Sequence, residues 1–232
     1  MWQELRAELR PQGVEVVTVA LDTGGAEAAG PFIDAAAPEH PSLIDAEHRL
    51  DELLGISNVP MGVWIDEEGV LVRPPEIAHP GKSMLREMMR GQKIPEDLPP
   101  YVLEMLAETT KIRVRPERYA EALRDWAARG ADSPYALAPD EVVERSRPRP
   151  PALSEAAGHF ALGQHLHRAG DVEGARAHFR EAHRLDPDNW TYRRQAWSFE
   201  DPLQGPTEHY DSDWLTDVKR SGAENYYPLP DL

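Results

Sequence analysis

Residues 156–189 read AAGHFALGQHLHRAGDVEGARAHFREAHRLDPDN, a stretch with the apolar spacing of two consecutive helices. Gly170 and Asp171 separate the two helices, because glycine supplies the backbone freedom that a tight turn requires. Pro187 ends the second helix, since proline cannot continue one. Small residues allow the facing surfaces to approach closely, and they stand at Gly163, Ala175 and Ala182. The stretch therefore predicts a tight helical hairpin.

Over its whole length this stretch is similar to one tetratricopeptide (TPR) repeat. The positions that carry the resemblance are Leu162, Gly163, Gly170, Ala175, Phe179, Ala182 and Pro187. Two positions depart mildly from the family pattern: His159 replaces a bulky aromatic residue and Leu166 replaces a tyrosine. A single repeat cannot bury its own apolar face, so we expect other elements to cover it. Helix 189–199, which carries Trp190 and Trp197, is the expected cover on one side.

The composition excludes several functions. A formal charge of −16 disfavours nucleic acid as a partner, and no apolar run is long enough to span a membrane. The chain contains no cysteine, which excludes disulfides and thiolate catalysis. No signal peptide is visible, and we expect a cytoplasmic location. No cofactor is expected and no catalytic residue is assigned.

Two motifs suggest a catalytic or a metal-binding function, but a structural role explains each of them more simply. The letters VALDTGG at 19–25 are typical of aspartic peptidases, which need two facing aspartates, whereas a strand that ends in a glycine loop explains the same letters. The histidines of the helical hairpin do not form a ligand face within either helix, because His165 and His167 point to opposite faces and His178 and His183 are five residues apart. We therefore expect no metal site.

The first 75 residues alternate helices and strands. Trp2, Leu5 and Leu9 share one helix face, and the apolar run Val14–Leu21 predicts a strand buried on both faces of a parallel sheet. The following elements are a helix that buries Ala29, Phe32, Ile33 and Ala36, a strand in 40–45, a helix that ends at Gly55, and a hairpin of Met61–Ile65 with Val70–Val72.

This order resembles the thioredoxin fold in its TlpA/ResA-like variety. Val59-Pro60 stands where that family has a cis proline, and the resemblance implies that Val59 and Pro60 bind the backbone of an extended substrate. The family's Cys-x-x-Cys motif would precede Met1, so the resemblance implies an incomplete mixed sheet without its first strand. Either the scaffold has lost redox activity, or the reading frame begins upstream, for example beyond a selenocysteine codon read as a stop.

The expected fold class is thus an incomplete α/β thioredoxin-like domain followed by an α-helical TPR-like region. We expect four regions: 1–80, thioredoxin-like; 81–150, a helical connection that ends in the Pro-rich linker RSRPRPP; 151–200, the TPR-like hairpin with its capping helix; and 201–232, a docking or partly disordered tail.

Two functions follow from this organisation. One is thiol- or selenol-disulfide exchange in an intact gene product, and the alternative is a non-catalytic scaffold that binds a protein or peptide. An open sheet edge beside Val14–Leu21 or the TPR-like face would also favour a homo-oligomer.

Overall fold

The computed structural model describes residues 2–79, 98–146 and 149–232, and it is 56% helical with little sheet. The strands are β1 (Thr18–Leu21), β2 (Ser42–Asp45), β3 (Met61–Ile65) and β4 (Leu71–Ile77). The helices are α1 (Trp2–Leu9), α2 (Gly25–Ala36), α3 (Arg49–Leu54), α4 (Pro100–Lys111), α5 (Pro116–Arg129), α6 (Pro139–Ser146), α7 (Pro151–Arg168), α8 (Val172–Leu185), α9 (Trp190–Ser198) and α10 (Trp214–Ser221). The helical stripe predicted around Met84–Met89 lies outside the described residues.

Residues 2–79, which we call the α/β unit, contain two separate two-stranded sheets. Strand β1 pairs with β2 in parallel, and β3 pairs with β4 in antiparallel orientation around a turn at Asp66–Gly69. No strand pairing joins the two sheets within the described ranges. The predicted strands and hairpin are therefore present, but the single mixed sheet expected from the sequence is not.

Two burial predictions in this unit are wrong. The strand predicted over Val14–Leu21 is confined to Thr18–Leu21 and is only half-buried, and Val17 just before it is 52% exposed. Helix α2 buries Ala29 but leaves Phe32 79% exposed. Both errors have one cause: the prediction assumed a wider sheet with helices packed on it, whereas β1 and β2 form a sheet of two strands.

The β3–β4 hairpin is anchored by aromatic packing against α5. The buried Trp64 stacks on Trp126 with ring centroids 5.1 Å apart, and its Nε1 donates a hydrogen bond to the Tyr119 hydroxyl at 3.0 Å. Leu5 and Leu9 of α1 are buried in the same cluster. The hairpin therefore packs in one apolar cluster with helices α1 and α5.

The repeat hairpin, formed by α7 and α8, matches the sequence prediction closely. Gly170 adopts φ 84° at the turn, and the Asp171 carboxylate accepts a hydrogen bond from Gly174 N at 3.0 Å, which caps α8. Phe160 and Phe179 are buried between the helices and share one cluster with Tyr192 and Trp197 of α9.

Helix α10 and its flanking residues complete this helical core. Trp214 and Val218 of α10 are buried in the same cluster as the repeat hairpin. A buried ion pair joins Arg193 of α9 to Asp217 of α10, and the Ser212 hydroxyl donates to Asp217 at 2.9 Å. Burial lowers the pKa of Arg193, although Asp217 opposes that change. The single repeat is therefore covered by helices that follow it in the chain.

Two glycines of α7 provide a matched test of this close approach. A Cβ at position 163 would lie 2.6 Å from Cε1 of the buried Phe179, whereas a Cβ at position 158 would meet nothing within 4 Å. We expect Gly163→Ala to lower the free energy of unfolding by about 1–3 kcal/mol through overpacking. Gly158→Ala should raise it by about 0.5–1 kcal/mol, because alanine is the better helix former. Urea denaturation measures both, and equal effects of the same sign would contradict the packing described.

Candidate functional site

A cluster of buried polar side chains joins the α/β unit to the helical region. Thr23 follows β1 and His48 precedes α3, while Gln164 lies on α7 and Gln195 on α9. All four residues are buried, as is Asp51 of α3. We call these five residues the polar node.

Hydrogen bonds within the node show which side-chain atoms of Gln195 and His48 donate and which accept. Thr23 N donates to Gln195 Oε1 at 2.9 Å, which identifies that atom as the amide oxygen, and His48 Nε2 lies 3.2 Å from the same oxygen. His48 Nε2 therefore carries a hydrogen. Its Nδ1 lies 3.0 Å from Asp51 Oδ2, so one proton lies between them. Burial raises the pKa of Asp51, although its hydrogen bond with His48 opposes that change.

Gln164 connects the node to the surface of the molecule. Its Nε2 donates to Thr23 Oγ1 at 2.7 Å, and its side chain also lines an open cleft of about 290 Å³. This interface cleft lies between α3 and α7, and its lining consists of Glu47, Arg49, Glu52, Leu53, Ala161, Gln164 and Arg168. The cleft combines an apolar patch at Leu53 and Ala161 with side chains of both charges.

The sequence-predicted site residues Val59 and Pro60 lie elsewhere, at the start of β3. Their peptide bond is cis, as expected from the sequence. The Tyr227 hydroxyl donates to the Val59 carbonyl at 2.8 Å, and Asn58 Nδ2 donates to the Tyr226 carbonyl at 3.3 Å. Residues of the C-terminal tail therefore cover this segment.

The Asp-Thr-Gly letters that are typical of aspartic peptidases have a structural role in this chain, because they form the loop that contributes Thr23 to the node. Asp22 Oδ1 accepts a hydrogen bond from Gly24 N at 2.8 Å, and the buried Thr23 hydrogen-bonds to Gln164 and Gln195. The residues Asp22-Thr23-Gly24 thus form the turn into α2 and the contact with the helical region.

Sequence reasoning missed two features of the histidines. His159 and His178 meet across α7 and α8 with their Nδ1 atoms 2.8 Å apart, a pair that spacing within one helix cannot reveal. His183 is half-buried with its Nε2 atom enclosed, and desolvation lowers its pKa to about 4. In the described parts of the chain, no three potential metal ligands gather at one point.

Comparison with known proteins finds one repeat within the chain. A tetratricopeptide repeat model matches residues 156–189, the same stretch that the sequence pattern marks. Neither the curated proteins nor the solved structures include a significant match to this chain. Among the described helices, none is long and apolar enough to cross a membrane.

The lowered pKa of His183 predicts that the stability of the protein depends on pH. Its folded-state pKa of about 4 lies below its ordinary value of 6.5, so the unfolded chain binds the proton more readily between these values. We expect this residue to contribute a loss of roughly 1–2 kcal/mol of stability between pH 7 and pH 5. His183→Phe should flatten the profile, and His165→Phe on the exposed face of α7 should not. Denaturation at a series of pH values tests this, and identical profiles for both variants would refute it.

Proposed function

We propose that the chain is a protein-interaction module in which the repeat hairpin and the α/β unit together form a peptide-binding surface. The observation that carries this proposal is the match of residues 156–189 to the tetratricopeptide repeat, because such repeats generally mediate protein–protein interaction. The hairpin lacks further repeats in the described chain and instead borders the α/β unit, and the interface cleft lies at this border.

The lining of the interface cleft indicates the chemistry of its partner. Leu53 is 75% exposed beside Ala161, which provides a site for one apolar side chain. Glu47 and Arg49 pair with each other at 2.6 Å, and Arg168 donates to the Ala46 carbonyl at 3.4 Å. Glu52 also lines the cleft, and its negative charge contributes to the raised pKa of Arg49. With the chain's net charge of −16, these features favour an extended peptide that carries an apolar residue next to a basic one.

Selection from a peptide display library on the full chain tests this proposal. We expect enrichment of sequences with an apolar residue adjacent to lysine or arginine, and binding should weaken by about 10-fold in Leu53→Asp, which places a charge in the apolar position. Leu203→Asp, at a leucine that is 53% exposed outside the cleft, is the matched control. Equal loss in both variants, or enriched peptides insensitive to Leu53→Asp, would count against the cleft.

We also propose a second candidate, a thioredoxin-like scaffold, for the α/β unit. Its support is the element order: a parallel β1–α2–β2 unit, then α3, then an antiparallel hairpin that begins after Pro60. In this proposal Val59 and Pro60 contact the backbone of a bound substrate. Disulfide exchange itself requires a thiolate or selenolate, which none of the 232 residues supplies.

The second candidate therefore makes a negative prediction for the chain alone. Because the chain contains no cysteine, we expect no turnover in an insulin-disulfide reduction assay. This should hold with an excess of a dithiol donor, once the rate at which the donor alone reduces insulin is subtracted. Measurable acceleration that depends on the concentration of the chain would show that the chemistry does not need a cysteine nucleophile. An active cysteine-containing reductase, assayed in parallel, is the positive control.

A further inference from the structure

The C-terminal residues 227–232 lie across a groove formed by the β3–β4 hairpin and α5. Leu229 and Pro230 rest against Ile77, Val114 and Tyr119, and the space left between these groups is only about 10 Å³. A space of that size holds one water molecule at most, so the segment fills the groove almost completely. We call this surface the tail groove; it shares no lining residue with the interface cleft.

Arginines bind the backbone and the acidic side chain of this segment. Arg73 is 1% exposed, and its Nη2 donates to the Asp231 carbonyl at 2.7 Å while its Nε and Nη2 also engage Glu76. Arg118 Nε donates to the Leu232 carbonyl at 2.7 Å. Arg145 Nη2 lies 3.4 Å from Asp231 Oδ2. The Arg73 contact is to a peptide carbonyl, which any extended peptide can supply, and the Arg118 contact is to the oxygen of the last residue, Leu232.

The segment divides into an anchored part and a peripheral part. Tyr226 is buried in the helical core beside Trp190 and Trp214, and Tyr227 hydrogen-bonds to Val59. Pro228 and Asp231 are exposed, and the rest of 228–232 is half-buried. The peripheral part can therefore leave the groove while the helical core stays intact. Pro228 and Pro230 limit its conformations to extended ones, which lowers the entropy lost on binding.

We propose that the tail groove is a binding site for an extended, proline-containing peptide with an acidic residue, and that residues 228–232 are its resident competitor. The chemistry of the partner is taken from the segment seated there: Leu229 and Pro230 lie against the apolar wall, and the Asp231 carboxylate pairs with Arg145. A partner segment of this composition displaces the tail and makes the same contacts. The proposal goes beyond the interaction at the interface cleft and does not depend on it.

A labelled peptide with the sequence of residues 226–232, YYPLPDL, tests the proposal by fluorescence anisotropy. The full chain is compared with a chain that ends at Tyr227. Because a tethered segment competes at a high effective concentration, we expect the shortened chain to bind the peptide at least about 10-fold more tightly. Arg118→Ala in the shortened chain should weaken binding by about 3- to 10-fold. A scrambled peptide, and one with asparagine in place of the aspartate, are the ligand controls.

Circular dichroism and thermal melting establish whether the shortened chain is folded. If it is folded and binds the peptide no better than the full chain, the proposal is wrong. If it does not fold, the full chain with Asp231→Lys decides, because the reversed charge turns the ion pair with Arg145 into a repulsion and so weakens the hold on the tail. Tighter peptide binding than the unaltered chain then supports the proposal, and equal binding overturns it. Asp211→Lys, at another exposed acidic residue of the tail, is the matched control. Leu53→Asp should leave this peptide unaffected.

Discussion

The architecture depends on one constraint: a single helical hairpin exposes apolar faces that it cannot bury alone. Phe160 shows how the molecule meets this requirement, because its ring stacks on Tyr192 of α9 at a centroid distance of 4.1 Å and contacts Phe179 of α8 and His48 of the α/β unit. In repeat arrays the neighbouring copy provides such contacts. Here α9, α10 and the α/β unit provide them, so the repeat is the centre to which the other parts attach rather than one member of a series.

The α/β unit contacts the repeat hairpin through buried polar groups, whereas α9 contacts it through apolar packing. A buried polar group costs free energy unless it finds a partner, and Thr23, Gln164 and Gln195 meet this condition in one network. Oδ1 of Asp51 is the exception within the node, because it is buried without a hydrogen-bond partner. Since these hydrogen bonds form in only one relative orientation of the two parts, the node defines that orientation more strictly than apolar packing would. The interface cleft follows from the same geometry, because Gln164 belongs to both the node and the floor of the cleft.

Features decided by local sequence could be predicted, and features decided by remote neighbours could not. The turn at Gly170 and the close approach at Gly163 depend on residues within one stretch, and both are present. The exposure of Phe32 depends on how many strands lie beneath α2, which its own sequence does not record. The polar node was missed for a similar reason: its members are separated by up to 172 residues, and no spacing pattern links Thr23 to Gln195.

The tail is a second connection between the helical core and the α/β unit, in addition to the polar node. Tyr226 belongs to the helical core, whereas Asp231 contacts Arg73 of the β3–β4 hairpin, so one short segment bridges both. Arg73 is held on its other sides by Glu76 and by the Tyr135 carbonyl, and therefore stays in place when the tail leaves. A guanidinium fixed in this way can bind another main-chain carbonyl without reorganisation. This preorganisation is the property that a preformed binding groove requires.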